Sequence, residues 1–194
     1  MHSTFGQRIL IWGNSCAGKS TLAERIAEQL RVPFVDLDAL NWLPNWQGLN
    51  DTDPARLEAR MRKATEHDAW IVAGSYTEQA QRTFWPRLQT IIWLDLPMER
   101  LLYRVMIRSW QRWRSGELLW GTNYENFWDQ LKLWNKDDSL IWWIVTNHYR
   151  KRRRTYEVVT DPRWAHIRFV RVATQSQASA LLQEITVRTA IEGR

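Results

Sequence analysis

Residues 13–20 read Gly-Asn-Ser-Cys-Ala-Gly-Lys-Ser and fit the spacing G-x-x-x-x-G-K-[ST]. That spacing suits one task, cradling a polyphosphate. Such an anion needs several backbone N–H donors converging on it, so the main chain must come close. Gly13 and Gly18 remove the Cβ atoms that would block the approach. Lys19 supplies a point charge for the β- and γ-phosphates, and the Ser20 hydroxyl is a ligand for Mg²⁺. A helix that starts here also turns its positive dipole end to the anion. Gly13, Asn14, Ser15, Cys16, Ala17, Gly18, Lys19, Ser20 and Thr21 are therefore the expected nucleotide contacts, with ATP and Mg²⁺ as cofactors.

A second group of residues has the chemistry of proton and metal handling. In Val35-Asp-Leu-Asp-Ala-Leu-Asn-Trp42, Asp36 and Asp38 alternate about Leu37 and would share one face of a strand. One carboxylate would organise Mg²⁺ waters and the other would orient or deprotonate an acceptor hydroxyl. The alternative is one helix cap and one solvated loop acid. Further on, Gly74 permits close backbone approach, and Ser75 and Tyr76 offer donors to a substrate; a structural turn is the alternative. Trp42, Trp46 and Tyr76 suit an aromatic acceptor pocket, which a nucleoside, a sugar or an antibiotic would fill equally.

Arg100, Arg104, Arg108 and Arg112 repeat every four residues and form a stripe on a helix, without acids at i±4 to neutralise them. Planar guanidinium groups suit phosphoryl oxygens in transit. The second basic cluster, 150–154, reads as a solvated helix face or helix end. Asp95 reads as the cap of a helix beginning at Pro97, with a metal-binding carboxylate as the alternative. Cys16, the only cysteine, is read as packing in preference to a reactive thiolate. The four histidines have no metal-ligand spacing.

These residues need a scaffold. Apolar runs predict parallel strands at 8–12, 33–36, 70–73, 90–94 and 166–172, alternating with helical stretches, which indicates a doubly wound α/β sheet. Leu22, Ile26 and Leu30 place one apolar face on the helix after the glycine loop. Asp53-Pro54 reads as an N-cap with Pro at N1. Pro97 opens a helix over 98–113. The Trp-dense stretch 115–151 reads as loop then helix, and Leu181, Leu182, Ile185 and Val187 mark a last helix over the sheet.

Composition narrows the classes. A chain of 194 residues with 44% hydrophobic content builds one domain with a real core. No apolar run approaches the ~18 residues of a membrane span. The first residues lack the pattern of a secretory signal, and one cysteine excludes an internal disulfide, so a cytoplasmic location is expected. The net charge of +6 suits any polyanion without choosing among them. Most of the fourteen tryptophans are expected in packing.

With these motifs in view, the chain resembles the small P-loop kinases of the nucleoside monophosphate and shikimate kinase type. It is more closely similar to bacterial adenylate-kinase-like proteins often labelled DNA topology modulation proteins. G-N-S-C-A-G-K-S-T at 13–21, V-D-L-D-A-L-N-W at 35–42, W-I-V-A-G-S-Y at 70–76, W-L-D-L-P at 93–97 and E-L-L-W-G-T-N at 117–123 carry the likeness over nearly the whole chain. The resemblance implies a five-stranded parallel sheet in the order 2-3-1-4-5, flanked by helices. It implies a single domain over 1–194, with a helical lid at about 104–150 bearing Arg104, Arg108 and Arg112. Asp36 and Asp38 would serve Mg²⁺ and the acceptor, and Gly74 the substrate-side turn. One departure stands out: many relatives have Asp where this chain has Ala73. The expected activity is ATP-dependent phosphoryl transfer to a small molecule. The alternatives are a nucleotide-binding regulator with weak, non-specific nucleic-acid binding, and simple ATP hydrolysis.

Overall fold

The sheet is built from segments that are apolar on both faces, as parallel strands between helical layers must be. A computed structural model describes residues 5–131 and 139–192; the side chains of 130, 131 and 186–192 lie outside the description. Numbering only the strands of the central sheet, β1 is Arg8–Gly13, β2 Phe34–Asp36, β3 Trp70–Ala73, β4 Thr90–Leu94 and β5 Arg168–Val172. All neighbours run parallel, in the order β2-β3-β1-β4-β5. The expected topology is observed, with strand ends within two residues of the sequence reading.

Alternation along the strands divides the core in two. Ile9 and Ile11 of β1, Ile71 of β3 and Ile92 of β4 face helix α1 (Lys19–Leu30) through Leu22, Ala23 and Ile26. Leu10 and Trp12, Trp70 and Val72, and Ile91 face the other way. They are covered by α4 (Pro54–Ala64) and α5 (Thr77–Thr83), which follow two short helices, α2 (Leu37–Asn41) and α3 (Leu49–Thr52). The Asp53 carboxylate caps α4 by accepting from Arg56 N–H at 3.0 Å, with Pro54 in the first turn, as the sequence predicts. Tryptophan is used here as packing material. Trp85 meets Trp12 and Trp164 edge to face at 5.7 and 5.1 Å, and Trp70 meets Phe84 at 5.4 Å.

Between β4 and β5 the chain leaves the sheet. Helix α6 (Met98–Ser115) ends at Gly116, and a small ladder pairs Leu118–Leu119 with Asn123–Tyr124. A 3₁₀ segment, Phe127–Leu131, follows, and α7 (Leu140–Val159) returns to the sheet. The last helix, α8 (Gln175–Glu192), buries Leu181 and Ile185 against the α1 face; the side chain of Val187 lies outside the description. Among the described residues no helix is long and apolar enough to cross a membrane.

Asp95 is not a helix cap. Pro97 occupies the N-cap of α6, without a side-chain cap. The buried Asp95 carboxylate instead takes Arg171 at 2.7 Å and Arg152 at 3.1 Å. That pair ties α7 and β5 to the end of β4. The cluster 150–154 is correspondingly not a uniformly solvated face: Arg150, Arg153 and Arg154 are exposed, while Lys151 and Arg152 turn inward.

Candidate active site

β1 ends at Gly13, where the chain must turn under the neighbouring strand. A Cβ at Gly13, at φ +155°, would lie 2.7 Å from the Leu94 carbonyl oxygen, so only glycine fits. The loop then folds on itself. Ser15 N–H donates to Asn14 Oδ1 at 2.9 Å, Ala17 N–H to the Asn14 carbonyl at 3.2 Å, and Lys19 Nζ to the same carbonyl at 3.0 Å. Gly18 occupies the N-cap of α1, so the helix begins directly beneath the loop. The neighbouring β3 end is equally constrained: a Cβ on Gly74 would meet Leu37 Cβ at 2.5 Å. The Ser75 hydroxyl donates to the Gly13 carbonyl at 2.9 Å, leaving its oxygen free as an acceptor.

A single cleft of about 1130 Å³ opens above this edge of the sheet. Ser15, Cys16, Ala17, Gly18, Lys19, Ser20 and Thr21 line it, with Asp36, Asp38, Trp42, Ser75 and Tyr76 and with Arg104, Arg108 and Arg112. Gly13, Asn14 and Gly74 support it from behind and do not line it. Asn14 is buried, its side-chain amide 3.4 Å from His148 Nδ1 of α7.

The two aspartates meet in the cleft by a route the sequence pattern did not give. They do not share a strand face. β2 stops at Asp36, whose carboxylate caps α2 by accepting from Asp38 N–H at 2.9 Å; Asp38 lies in the first turn of that helix. Burial, and then the neighbouring Asp38, push the Asp36 carboxyl above the usual range, with Trp120 within hydrogen-bonding reach holding the shift back. Tyr76 donates its hydroxyl to Asp38 at 2.8 Å. Burial and the same carboxylate push the Tyr76 phenol up, which keeps it a donor. Asp36 lies opposite Ala73 in the β2–β3 register.

The arginine stripe separates into residues with different partners. Arg100 is exposed. Arg104 bridges the Ala17 carbonyl at 2.9 Å and Gln175 Oε1 of α8 at 3.1 Å. Arg112 pairs with Glu125 at 3.1 Å and Glu117 at 3.5 Å, acids that come from the hairpin and not from the helix itself. Arg108 keeps its charge for the cleft, and its Nε is buried without a hydrogen-bond partner among the described residues.

Sequence reasoning missed Lys151. It reaches the cleft from α7, its ammonium 5.0 Å from the centre of the Trp143 ring. Burial, followed by repulsion from Lys19, pushes it down to about 7, while Asp38 pulls the other way. Lys19 is also pushed down, again by burial first. Two lysines and Arg108 thus crowd one desolvated space, an arrangement that a polyanion would relieve. Helical spacing held a signal: Lys151 is eight residues after Trp143, on the same helix face. Cys16 goes the other way from a reactive thiolate. Burial raises its thiol more than Arg108 and Lys19 lower it.

The residues fit a Mg²⁺-nucleotide. Gly13 at the base of the loop admits no Cβ, the Arg108 Nε is buried without a hydrogen-bond partner among the described residues, and Ser20, Asp36 and Asp38 line the same cleft. Among the described residues no cluster of three or more His, Cys, Asp or Glu side chains forms a metal site of its own, so a metal here would need phosphate or water ligands.

No family model matches the chain, and no curated protein matches it in sequence. Solved structures do match. Shikimate kinase from Acinetobacter baumannii, in complex with shikimate, aligns with a TM-score of 0.52 at 18% identity, over 96% of this chain and 93% of that one. The chain has the shikimate kinase fold. A gluconokinase from Sinorhizobium meliloti 1021 aligns at 20% identity over 96% and 93% of the two chains, with a TM-score of 0.48. Shikimate kinase from Aquifex aeolicus vf5 does so at 19% identity over 96% of each, with a TM-score of 0.47. At these identities the likeness is one of fold, and the chemistry has to be argued from the site.

Proposed function

We propose that the protein is an ATP- and Mg²⁺-dependent phosphotransferase acting on the hydroxyl group of a small molecule. The observation that carries this reading is that Lys19 and Asp38 face one cleft, with Lys151 close enough to feel both charges. A phosphate-binding end and a proton-accepting end then share one space, as transfer between two bound ligands requires.

The loop amides and Lys19 hold the polyphosphate, and Arg108 and Lys151 face the phosphoryl group in transit. Arg104 joins the loop to α8, and Arg112 holds the hairpin that walls the cleft. Ser20 and Asp36 would hold Mg²⁺, which when bound offsets phosphate charge. Asp38 takes the proton of the acceptor hydroxyl, with the Tyr76 hydroxyl fixing the carboxylate that receives it. In this reading the chain is a single domain in which residues 104–150 form the lid. Arg104, Arg108 and Arg112 line the cleft instead of an outer surface, which favours transfer over a nucleotide-dependent regulator that binds nucleic acid.

A panel of hydroxyl compounds with MgATP, followed by ADP release, tests the reading. Release stimulated by an acceptor is expected. Release of the same rate with every compound and with none would make the protein a hydrolase.

A further inference from the structure

The back of the phosphate loop rests on α7. One stripe of that helix turns inward: Ile144, His148, Lys151, Arg152 and Thr155, at the three- and four-residue spacing that puts side chains on one face. Arg152 pairs with Asp95, and Lys151 reaches the cleft. His148 is buried in the same stripe and has no part in the transfer chemistry.

His148 faces Asn14, the residue around which the loop is folded. The Asn14 carbonyl takes Ala17 N–H at 3.2 Å and Lys19 Nζ at 3.0 Å, and its side-chain oxygen takes Ser15 N–H at 2.9 Å. A backbone N–H can only donate, so it fixes which arm of the carboxamide is the oxygen. The amide nitrogen then points the other way, to His148 Nδ1 at 3.4 Å. That nitrogen also only donates, so Nδ1 has to accept and the ring proton belongs on Nε2. A protonated imidazole would set N–H against N–H between two buried side chains. Burial keeps the ring neutral, pushing it below its usual value against Asp95 at the end of β4 and Glu99 of α6, while Arg152 of α7 acts in the same sense as burial.

We propose that His148 is a positioning residue of the phosphate loop: its neutral ring accepts from the Asn14 carboxamide, and that contact holds the loop in the shape that receives a polyphosphate. This rests on the phosphate-binding half of the phosphotransfer reading and uses none of its transfer chemistry. It gives α7 two attachments to the nucleotide site, since the helix that brings Lys151 to the cleft supports the loop three residues earlier.

A double-mutant cycle tests this, read as the affinity of β,γ-imido-ATP with Mg²⁺ by calorimetry at about pH 7.5, where the ring is neutral. His148→Phe keeps a ring and removes the acceptor; Asn14→Ala removes its donor. His148→Phe should weaken the analogue by about tenfold in the wild-type background and by about twofold or less in Asn14→Ala, where the contact is already gone. His148→Asn, whose side-chain oxygen can take the place of Nδ1, should restore affinity to within about threefold of wild type. A ring that only filled space would weaken binding equally in both backgrounds. Equal weakening, wild-type affinity in His148→Phe, or no rescue by His148→Asn would overturn the proposal. Nitrogen NMR of the wild type with labelled histidine rings reads the tautomer without a substitution: the proton is expected on Nε2 of His148, and a proton on Nδ1 would overturn the proposal by itself. A wild-type protein that does not bind the analogue would overturn the phosphate-binding reading and this proposal with it. Equal weakening in a protein that binds would overturn this proposal alone.

Discussion

The two ends of the cleft are built by different means. The phosphate end is nine consecutive residues, 13–21, whose backbone does the work: a glycine that alone fits under Leu94, a loop tied to its own carbonyls, and a helix that starts beneath it. The acceptor end is made of side chains from separate segments. Asp36 and Asp38 come from the β2–α2 junction, Trp42 and Trp46 from the turn that follows, Tyr76 from the end of β3, and Trp120 from the hairpin after α6. A backbone site tolerates little variation and binds a common group; a side-chain site is free to change its ligand. Phosphate binding is therefore expected to be robust and sensitive at few points, and acceptor binding to be tunable.

The largest effect should come from Lys19→Ala. Its turnover should be lost, and ATP binding should weaken by about 1.5–3 kcal/mol, the cost of a charge-assisted contact. The thermal transition should stay in place, because the Lys19 ammonium makes one hydrogen bond, to Asn14. Calorimetry that finds wild-type ATP affinity would break the assignment of the phosphate end.

Lys151 should give a smaller effect with a definite sign. Its ammonium is pushed down to about 7 when no phosphate is bound. A polyphosphate favours the charged form and raises that value, so binding takes up a proton in the window above 7. MgATP affinity should fall by about tenfold from pH 6 to pH 8.5 in wild type. In Lys151→Met the slope should flatten. An equal slope in both proteins would remove Lys151 from the phosphate end.

The smallest effect is expected at Cys16. With its thiol pushed up by burial, alkylation at neutral pH should be slower than that of a free thiol by about tenfold or more. Rapid labelling would show that the loop amides and Lys19 outweigh burial after all.

The difference in construction also explains what could be read from the chain. The strands were legible because β1, β3 and β4 are apolar on both faces and are interrupted by amphipathic helices, while their order came from the resemblance alone. The glycine loop was legible because its geometry is local. The Asp36–Asp38 pair was located correctly on the wrong element: an Asx cap ends β2 one residue before the alternation could continue. Arg112 looked uncompensated because its acids, Glu117 and Glu125, lie beyond the helix in sequence and return through the hairpin. Asp95 and Arg152 found each other across elements that no local spacing relates. Lys151 was hidden in a run of five basic residues, where only the packing of α7 decides which side chain turns inward.

Asp38→Asn tests most directly whether the two ends form one catalytic cleft. The substitution keeps the shape and a hydrogen-bond acceptor for Tyr76, and removes the proton-accepting carboxylate. ATP affinity should stay within about twofold of wild type, while acceptor-stimulated ADP release should fall by roughly 10²–10⁴-fold, the contribution of a positioned general base. Wild-type stimulated release in Asp38→Asn, or loss of ATP binding together with turnover, would contradict the division of labour between the phosphate end and the acceptor end.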